Sequence, residues 1–262
     1  MNIRFLVPLL IAPLFLVSCQ DEDENTHGAP SSGNVIVDIT NIMGNVNVDE
    51  TGNTSYTTNA GETFTVTKLK YYLTSFQLLK NGEVKYTMPE SYFLVDESDQ
   101  STTKLTLPKV PAGDYDAVRF LIGVDSLRNV SGAQTGALDP AYGMFWTWST
   151  GYIFYKLEGK SPNSTLLDSS FNFHIAGFRV SNNTNAIREV VIGFNGDVLS
   201  VTGGHSPELH LFADHLRFFN GPPNQMIING NENVMTPGVR SLSYADNYAG
   251  MFSYDHIHED SH

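Results

Sequence analysis

Short runs of alternating apolar and polar residues recur along this chain, and turn-forming residues separate them. Residues 63–67 alternate strictly, residues 35–39 are mostly β-branched, and Asn81 with Gly82 forms the strongest short signal for a hairpin turn. Turn signals recur about every 8–12 residues, and no long helical period interrupts them. The sequence therefore predicts an all-β fold, an antiparallel β-sandwich (immunoglobulin/cupredoxin-like) with long loops and a few short helices.

The same pattern predicts nine further strands. They cover residues 69–79, 83–86, 91–95, 104–107, 115–122, 151–158, 172–178, 189–194 and 208–212. Short helices are predicted for residues 214–219, with Asp214 as N-cap, and around residues 242–252. Residues 123–144 are predicted to form a long irregular loop, and long loops on a rigid sandwich often carry function.

The N-terminus has the layout of a secretory signal. One basic residue, Arg4, precedes an apolar stretch over residues 5–17, which is too short to span a membrane. The residues before Cys19 resemble a bacterial lipobox, in which the peptide is cleaved before a cysteine that is then acylated. We therefore predict a signal peptide over residues 1–18 and an outer-membrane lipoprotein that is lipidated at Cys19.

An acidic, polar segment follows this cysteine. Residues 19–33 include a run of four carboxylates at residues 21–24 and contain too little apolar surface to pack, so they are predicted to form a flexible tether. The acidic run resembles the surface-export signal of Bacteroidetes lipoproteins, and a spacer facing the periplasm is the alternative. Residues 34–262 are predicted to form one domain.

Charge and cysteine content exclude several functional classes. The chain has 15 Lys and Arg against 28 Asp and Glu, a formal net charge of −13, which opposes a nucleic-acid groove. A single cysteine excludes an intramolecular disulfide framework and any zinc or iron–sulfur site built from several thiolates. The sequence contains no nucleophile elbow, zinc-protease motif or P-loop, so we expect a protein that is not an enzyme.

Both tryptophans lie in one aromatic segment, residues 139–152. On a strand, Trp146 and Trp148 would share one face. Three interpretations remain open: a core aromatic pair, a platform that stacks on sugar rings, or oxidisable indoles beside a metal.

Histidines supply the candidate metal ligands. His256 and His258 are two residues apart, so a strand would project both imidazoles from one face, as a shared metal requires. His174 replaces a residue of an otherwise alternating apolar strand and is either a hydrogen-bonded structural residue or a ligand. Three histidines spaced by five residues are predicted to be mostly solvated: His205, His210 and His215.

Several segments together resemble the MbnP-like copper-binding family, in the order in which they occur there. They are residues 122–126, 138–140, 143–152, 156–159, 173–175, 233–235, 246–248, 251–252 and 256–258. The resemblance implies a secreted or lipid-anchored β-rich protein that binds one copper ion. It implies His174, His256 and His258 as ligands, with Met144 as a further candidate.

The resemblance also implies a modified tryptophan and a redox partner. Some relatives carry a tryptophan oxidised to kynurenine by a dihaem enzyme similar to cytochrome c peroxidase, and here Trp146 or Trp148 would be the modified residue. The competing hypothesis is a surface glycan-binding or adhesive module that uses the Trp146/Trp148 pair. Copper binding predicts that the three ligand histidines converge near a tryptophan, whereas glycan binding predicts exposed, coplanar tryptophan rings.

Overall fold

A computed structural model describes residues 31–146, 151–179 and 183–259, and strands dominate these ranges. The strands are β1 (Ser32–Met43), β2 (Val46–Asn47), β3 (Tyr56–Thr57), β4 (Thr63–Lys80), β5 (Glu83–Thr87), β6 (Tyr92–Asp96), β7 (Lys104–Pro111), β8 (Gly113–Tyr115), β9 (Ala117–Ile122), β10 (Phe145–Trp146), β11 (Gly151–Lys160), β12 (Ser170–Ala176), β13 (Arg188–Gly193), β14 (Leu199–Val201), β15 (Glu208–Asp214), β16 (Asn233–Val234) and β17 (Phe252–His258). The α-helices are α1 (Ser126–Val130), α2 (Arg217–Asn220) and α3 (Val239–Tyr248), and short 3-10 helices cover Gln100–Thr103, Gly136–Leu138 and Pro140–Tyr142. No helix in the described ranges has the length and apolar character needed to cross a membrane.

Two sheets pack face to face and enclose the core. The smaller has the order β17-β15-β1-β2, with β7 also pairing with β1; the larger has the order β13-β9-β4-β11-β12-β16, with β3, β5 and β6 on β4 and β10 on β11. The rings of Phe252 in the small sheet and Phe120 in the large sheet contact each other with centroids 4.9 Å apart. The predicted all-β sandwich is confirmed.

The sandwich is not purely antiparallel. Strand β1 pairs in parallel with β15, with Ile36 opposite Glu208, and β12 pairs in parallel with β16. A parallel pair requires a long crossover, so its two strands come from distant parts of the chain. Sequence alternation locates such strands but does not reveal which strands become neighbours. The antiparallel part of the prediction is wrong for these two pairs.

Strand β4 is one strand where the sequence predicts two, over residues 63–67 and 69–79. The register between β4 and β11 shifts opposite Glu158 and Gly159, which leaves Thr67 as an extra, unpaired residue. After such a bulge, the side chains that face the core fall on the other set of alternate positions along the strand. This change of phase interrupts the apolar alternation in the sequence although the strand continues.

Several predicted boundaries differ from the structure, and three of them bear on how the strands and helices end. Strand β1 begins at Ser32, inside the predicted tether. Helix α2 begins after Asp214, whose carboxylate Oδ1 accepts hydrogen bonds from the backbone N–H groups of Gly44 and Leu216 at 2.7 and 3.1 Å and so fixes the end of β15. Helix α3 ends at Tyr248, because the chain then turns into β17.

A buried polar network joins the two sheets at His215, which the sequence predicted to be solvated but which is fully buried. His215 Nε2 donates to Asn41 Oδ1 at 2.8 Å, and the hydroxyl of Tyr155 donates to His215 Nδ1 at 2.9 Å. Tyr71 also donates to Asn41 Oδ1, and Asn41 Nδ2 donates to Glu97. Both imidazole nitrogens are therefore used by a neutral ring, and burial lowers the pKa of His215 to about 3.

This burial predicts a loss of stability in acid. The unfolded chain protonates His215 near its ordinary pKa of 6.5, whereas the folded chain does so only near 3, so unfolding takes up a proton between these values. From about pH 7 to about pH 4 this group should lower the free energy of unfolding by on the order of 3 kcal/mol. Urea unfolding at both pH values should show a smaller pH dependence in His215→Gln, and an unchanged dependence would contradict the assignment.

Candidate metal centre

His174 lies on β12 and is held by a carboxylate of the neighbouring strand. Its neighbour Phe173 points into the core and packs on Tyr244, so His174 points to the opposite face of the sheet. The side chain is nevertheless buried, at 7% exposure. Its Nε2 lies 2.7 Å from Oε1 of Glu158 on β11. The sequence thus places a buried imidazole beside a carboxylate on the outer face of the large sheet.

The charge of Glu158 determines which nitrogen of His174 is available. The hydrogen bond from His174 holds the pKa of Glu158 below its usual range, so the carboxylate is ionised and only accepts. The proton of a neutral imidazole therefore resides on Nε2, and Nδ1 presents a lone pair. Nδ1 is buried and has no hydrogen-bond partner among the described residues. A carboxylate that orients an imidazole so that its other nitrogen is free is the usual support of a metal-binding histidine.

Lys156 fixes the segment that covers this face. It lies directly opposite His174 in the β11–β12 register, and its ammonium donates to the carbonyl of Gly143 at 2.5 Å. Burial lowers the pKa of Lys156. The carbonyl of Met144 accepts from the backbone N–H of Ile153 at 2.8 Å, which ties the same segment to β11.

Trp146 forms the end of this segment and borders a cleft. It pairs with Gly151 across β10 and β11 and is 3% exposed. The cleft has a volume of about 350 Å³, and Tyr152, Phe178 and Arg179 also line it. Because Trp146 is buried, its ring does not offer the exposed face that sugar stacking requires. Trp148 and Cys19 lie outside the described residues.

The structure separates the predicted histidine ligands. His174 is in the large sheet, where it pairs with Lys156 of β11, and Trp146 pairs with Gly151 of the same strand. His256 and His258 are instead exposed on β17 at the edge of the small sheet. Among the described residues, one set of three His, Cys, Asp or Glu side chains has ligand atoms within 4.8 Å of one another. It contains none of these three histidines. The three histidines do not converge, because β17 pairs with β15 and not with the large sheet.

A second polar cluster, which was not predicted from the sequence, lies on the small sheet. The set of three is Asp38, Glu208 and His210. His210 was predicted to be mostly solvated, but it is half-buried between these carboxylates and stacks on His256. The alternation of Glu208 and His210 with apolar neighbours indicates a polar face, but only the strand order reveals that Asp38 and His256 lie on either side.

Comparison with known proteins places the chain in a family. The sequence model of the MbnP family matches residues 32–236, most of the chain. The chain belongs to the MbnP family. A solved structure, MbnP from Methylosinus trichosporium, is similar to this chain with a TM-score of 0.51 and 14% sequence identity, over 88% of this chain and 99% of that one. At this identity the similarity concerns the fold, and a comparison with curated protein sequences gives no match.

The extent of the MbnP match separates His174 from the C-terminal histidines. It includes His174, Met144 and Trp146 and ends before β17, which carries His256 and His258. The polar face around His174 therefore belongs to the part of the chain that the family defines, and the C-terminal histidines lie beyond it.

Proposed function

We propose that this chain is a non-catalytic, extracytoplasmic lipoprotein that binds one copper ion and acts in copper capture or homeostasis. Membership of the MbnP family supports a copper-related role. The observation that carries the proposal is His174 Nδ1, a buried imidazole nitrogen without a hydrogen-bond partner in the described ranges, on a ring oriented by Glu158. We assign this nitrogen as a copper ligand. A lipid on Cys19 would anchor the domain to the outer membrane, on its periplasmic or cell-surface side.

The proposed site draws its other donors from the segment beside β11. Met144 offers a thioether, which suits Cu(I), and an oxidised Trp146 offers the aniline nitrogen and ketone oxygen of kynurenine. Cys19 is the one cysteine of the chain and is assigned to the lipid, so the domain contains no thiolate donor. This assignment keeps part of the ligand set implied by the family resemblance and leaves out His256 and His258.

Oxidation of the tryptophan requires a partner, and we assign this role to a dihaem protein similar to cytochrome c peroxidase. Trp146 borders an open cleft, which supports access by an external oxidant near the ring. The net charge of −13 favours docking of a basic surface on this chain. In this scheme the copper site is completed only after the partner has acted.

The proposal predicts that His174→Ala loses copper while the protein stays folded. Removing one ligand deletes a metal bond, whereas an alanine in this strand should cost only about 1–2 kcal/mol of stability. Glu158→Gln keeps the ligand but weakens its orientation and should lower copper affinity about 10–100-fold. Copper per protein and thermal unfolding, measured on full-length protein from its own host, test both variants.

His258→Ala is the matched control, because this exposed histidine lies on the other sheet. It should retain copper as the wild type does. Retention of one equivalent of copper by His174→Ala, or its loss from His258→Ala, would overturn the assigned site. Peptide mass analysis should place any kynurenine at Trp146, and a fully copper-loaded protein with both tryptophans intact would remove the modification from the proposal.

A further inference from the structure

The outer face of the small sheet carries a row of charged and imidazole side chains across four strands. In register, Lys104 of β7 lies opposite Asp38 of β1, Asp38 opposite His210 of β15, and His210 opposite His256 of β17. In the neighbouring row, Glu208 of β15 is paired with the last residue of β17, His258. Side chains at paired positions project from the same face, so these groups converge above the sheet.

His210 is the centre of this cluster. Its Nδ1 lies 3.7 Å from Oδ2 of Asp38 and its Nε2 lies 3.4 Å from Oε2 of Glu208. The rings of His210 and His256 are stacked, with centroids 4.2 Å apart and planes 7° from parallel. Two imidazoles and two carboxylates from three adjacent strands thus share one small volume.

We propose that Asp38, Glu208, His210 and His256 form a binding site for Zn²⁺, a divalent ion of borderline softness. Imidazole and carboxylate are ligands that this ion takes. With metal–ligand bonds of about 2.0–2.2 Å, ligand atoms on a tetrahedral ion lie roughly 3.4 Å apart. The separation of His210 Nε2 from Oε2 of Glu208 is close to this value, and ligand atoms of Asp38, Glu208 and His210 all lie within 4.8 Å of one another, so side-chain rotations bring them onto one ion. His256 joins them when its ring turns out of the stack, because parallel rings do not point their lone pairs at the same ion.

The ammonium of Lys104 occupies the place in this cluster that a metal ion would take. Its ammonium lies 2.9 Å from Oδ2 of Asp38 and 3.5 Å from Oε2 of Glu208, between the two carboxylates. The side chain is 54% exposed and long, so it can leave for solvent, and an ion pair at such exposure is weak. A divalent ion carries twice the charge of the ammonium and bonds directly to the carboxylates, so it displaces this side chain. Lys104 is therefore a competitor of the metal.

This site is separate from the proposed copper site and does not depend on it. Three of its four ligands lie within the MbnP match, but His256 lies beyond it. The site also forms on the small sheet, whereas His174 belongs to the large one. Full-length His174→Ala protein is therefore the background in which to measure it, because zinc binding at His174 is then removed.

Calorimetric titration of this background with ZnCl₂ should show one equivalent bound. His210→Gln should weaken binding at least about tenfold, since even the residues that orient a ligand contribute 10–100-fold. Lys104→Gln should tighten binding, because it removes the competing ammonium. His205→Gln, a histidine outside the cluster, should leave the affinity unchanged, and thermal unfolding checks that each variant is folded.

Two outcomes would overturn the site. The first is the absence of zinc binding in the titrated range. The second is unchanged binding in His210→Gln together with loss in a His256→Gln/His258→Gln double variant, because the C-terminal histidines alone would then hold the ion. A tighter complex in Lys104→Gln supports the site specifically, since a surface salt-bridge cluster without a metal role gives no such gain.

Discussion

His215→Ala should lower the free energy of unfolding by about 3–5 kcal/mol, one of the largest effects expected of a single substitution in this protein. The imidazole is fully buried between the sheets, so its removal leaves a cavity among the rings of Tyr71 and Tyr155. The variant also leaves the Tyr155 hydroxyl without its acceptor, and an unsatisfied buried hydroxyl costs about 1–3 kcal/mol. The two penalties add because neither group can reach solvent.

The network around His215 explains why the effect should exceed that of an ordinary core truncation. Asn41 and His215 belong to the small sheet and its following turn, whereas Tyr71 and Tyr155 belong to the large sheet. The backbone N–H of His215 also donates to the carbonyl of Ile42 at 2.8 Å, which fixes the ring beside β1. One side chain therefore connects the two layers of the sandwich through hydrogen bonds.

Urea unfolding of the wild type and the variant measures this effect. His258→Ala is the control, since an exposed histidine at the end of β17 should change stability by less than about 0.5 kcal/mol. A loss below about 1 kcal/mol in His215→Ala would mean that the sheets do not depend on this network. Equal losses in both variants would lead to the same conclusion.

The same residue illustrates which parts of the fold are accessible from sequence. Local signals located most of the longer strands and missed several of the short ones: the hairpin at Asn81 and Gly82 joins β4 to β5, and β13 and β15 lie within two residues of where alternation placed them. Burial of His215 depends on which strands pack across the core. No local pattern contains that information, because a histidine just after a strand looks the same whether it faces solvent or an opposing sheet.

The candidate sites show the same limit at longer range. Met144, Trp146 and His174 were grouped in advance by the family resemblance, and β10, β11 and β12, which carry or follow these residues, are antiparallel neighbours in the structure. His256 could not be assigned to His210, because their contact depends on β17 pairing with β15. The family resemblance implied one copper site for His174, His256 and His258. The sheet order shows that His174 lies on the large sheet and the other two on the small sheet.

Gly159→Ala should destabilise the protein by more than about 3 kcal/mol, although both residues are small. Gly159 lies at the β4–β11 bulge, where a Cβ atom would overlap the carbonyl oxygen of Thr65 and lie 2.6 Å from Cζ of Phe171. The first neighbour is backbone of a central strand, so relief requires the two strands to move apart. For a domain of this size the melting temperature should fall by about 6–12 °C.

Gly193→Ala is the matched control for this prediction. Gly193 is the last residue of β13, and an added Cβ there would have its nearest neighbour, the carbonyl oxygen of Asp116, at 4.0 Å. Its stability should change by less than about 1 kcal/mol, because a strand accepts alanine where space allows. Similar melting temperatures for the two variants would show that the close approach at the bulge is not required. A loss confined to Gly159→Ala would show that the close backbone approach of β4 to β11 at the bulge is required for stability.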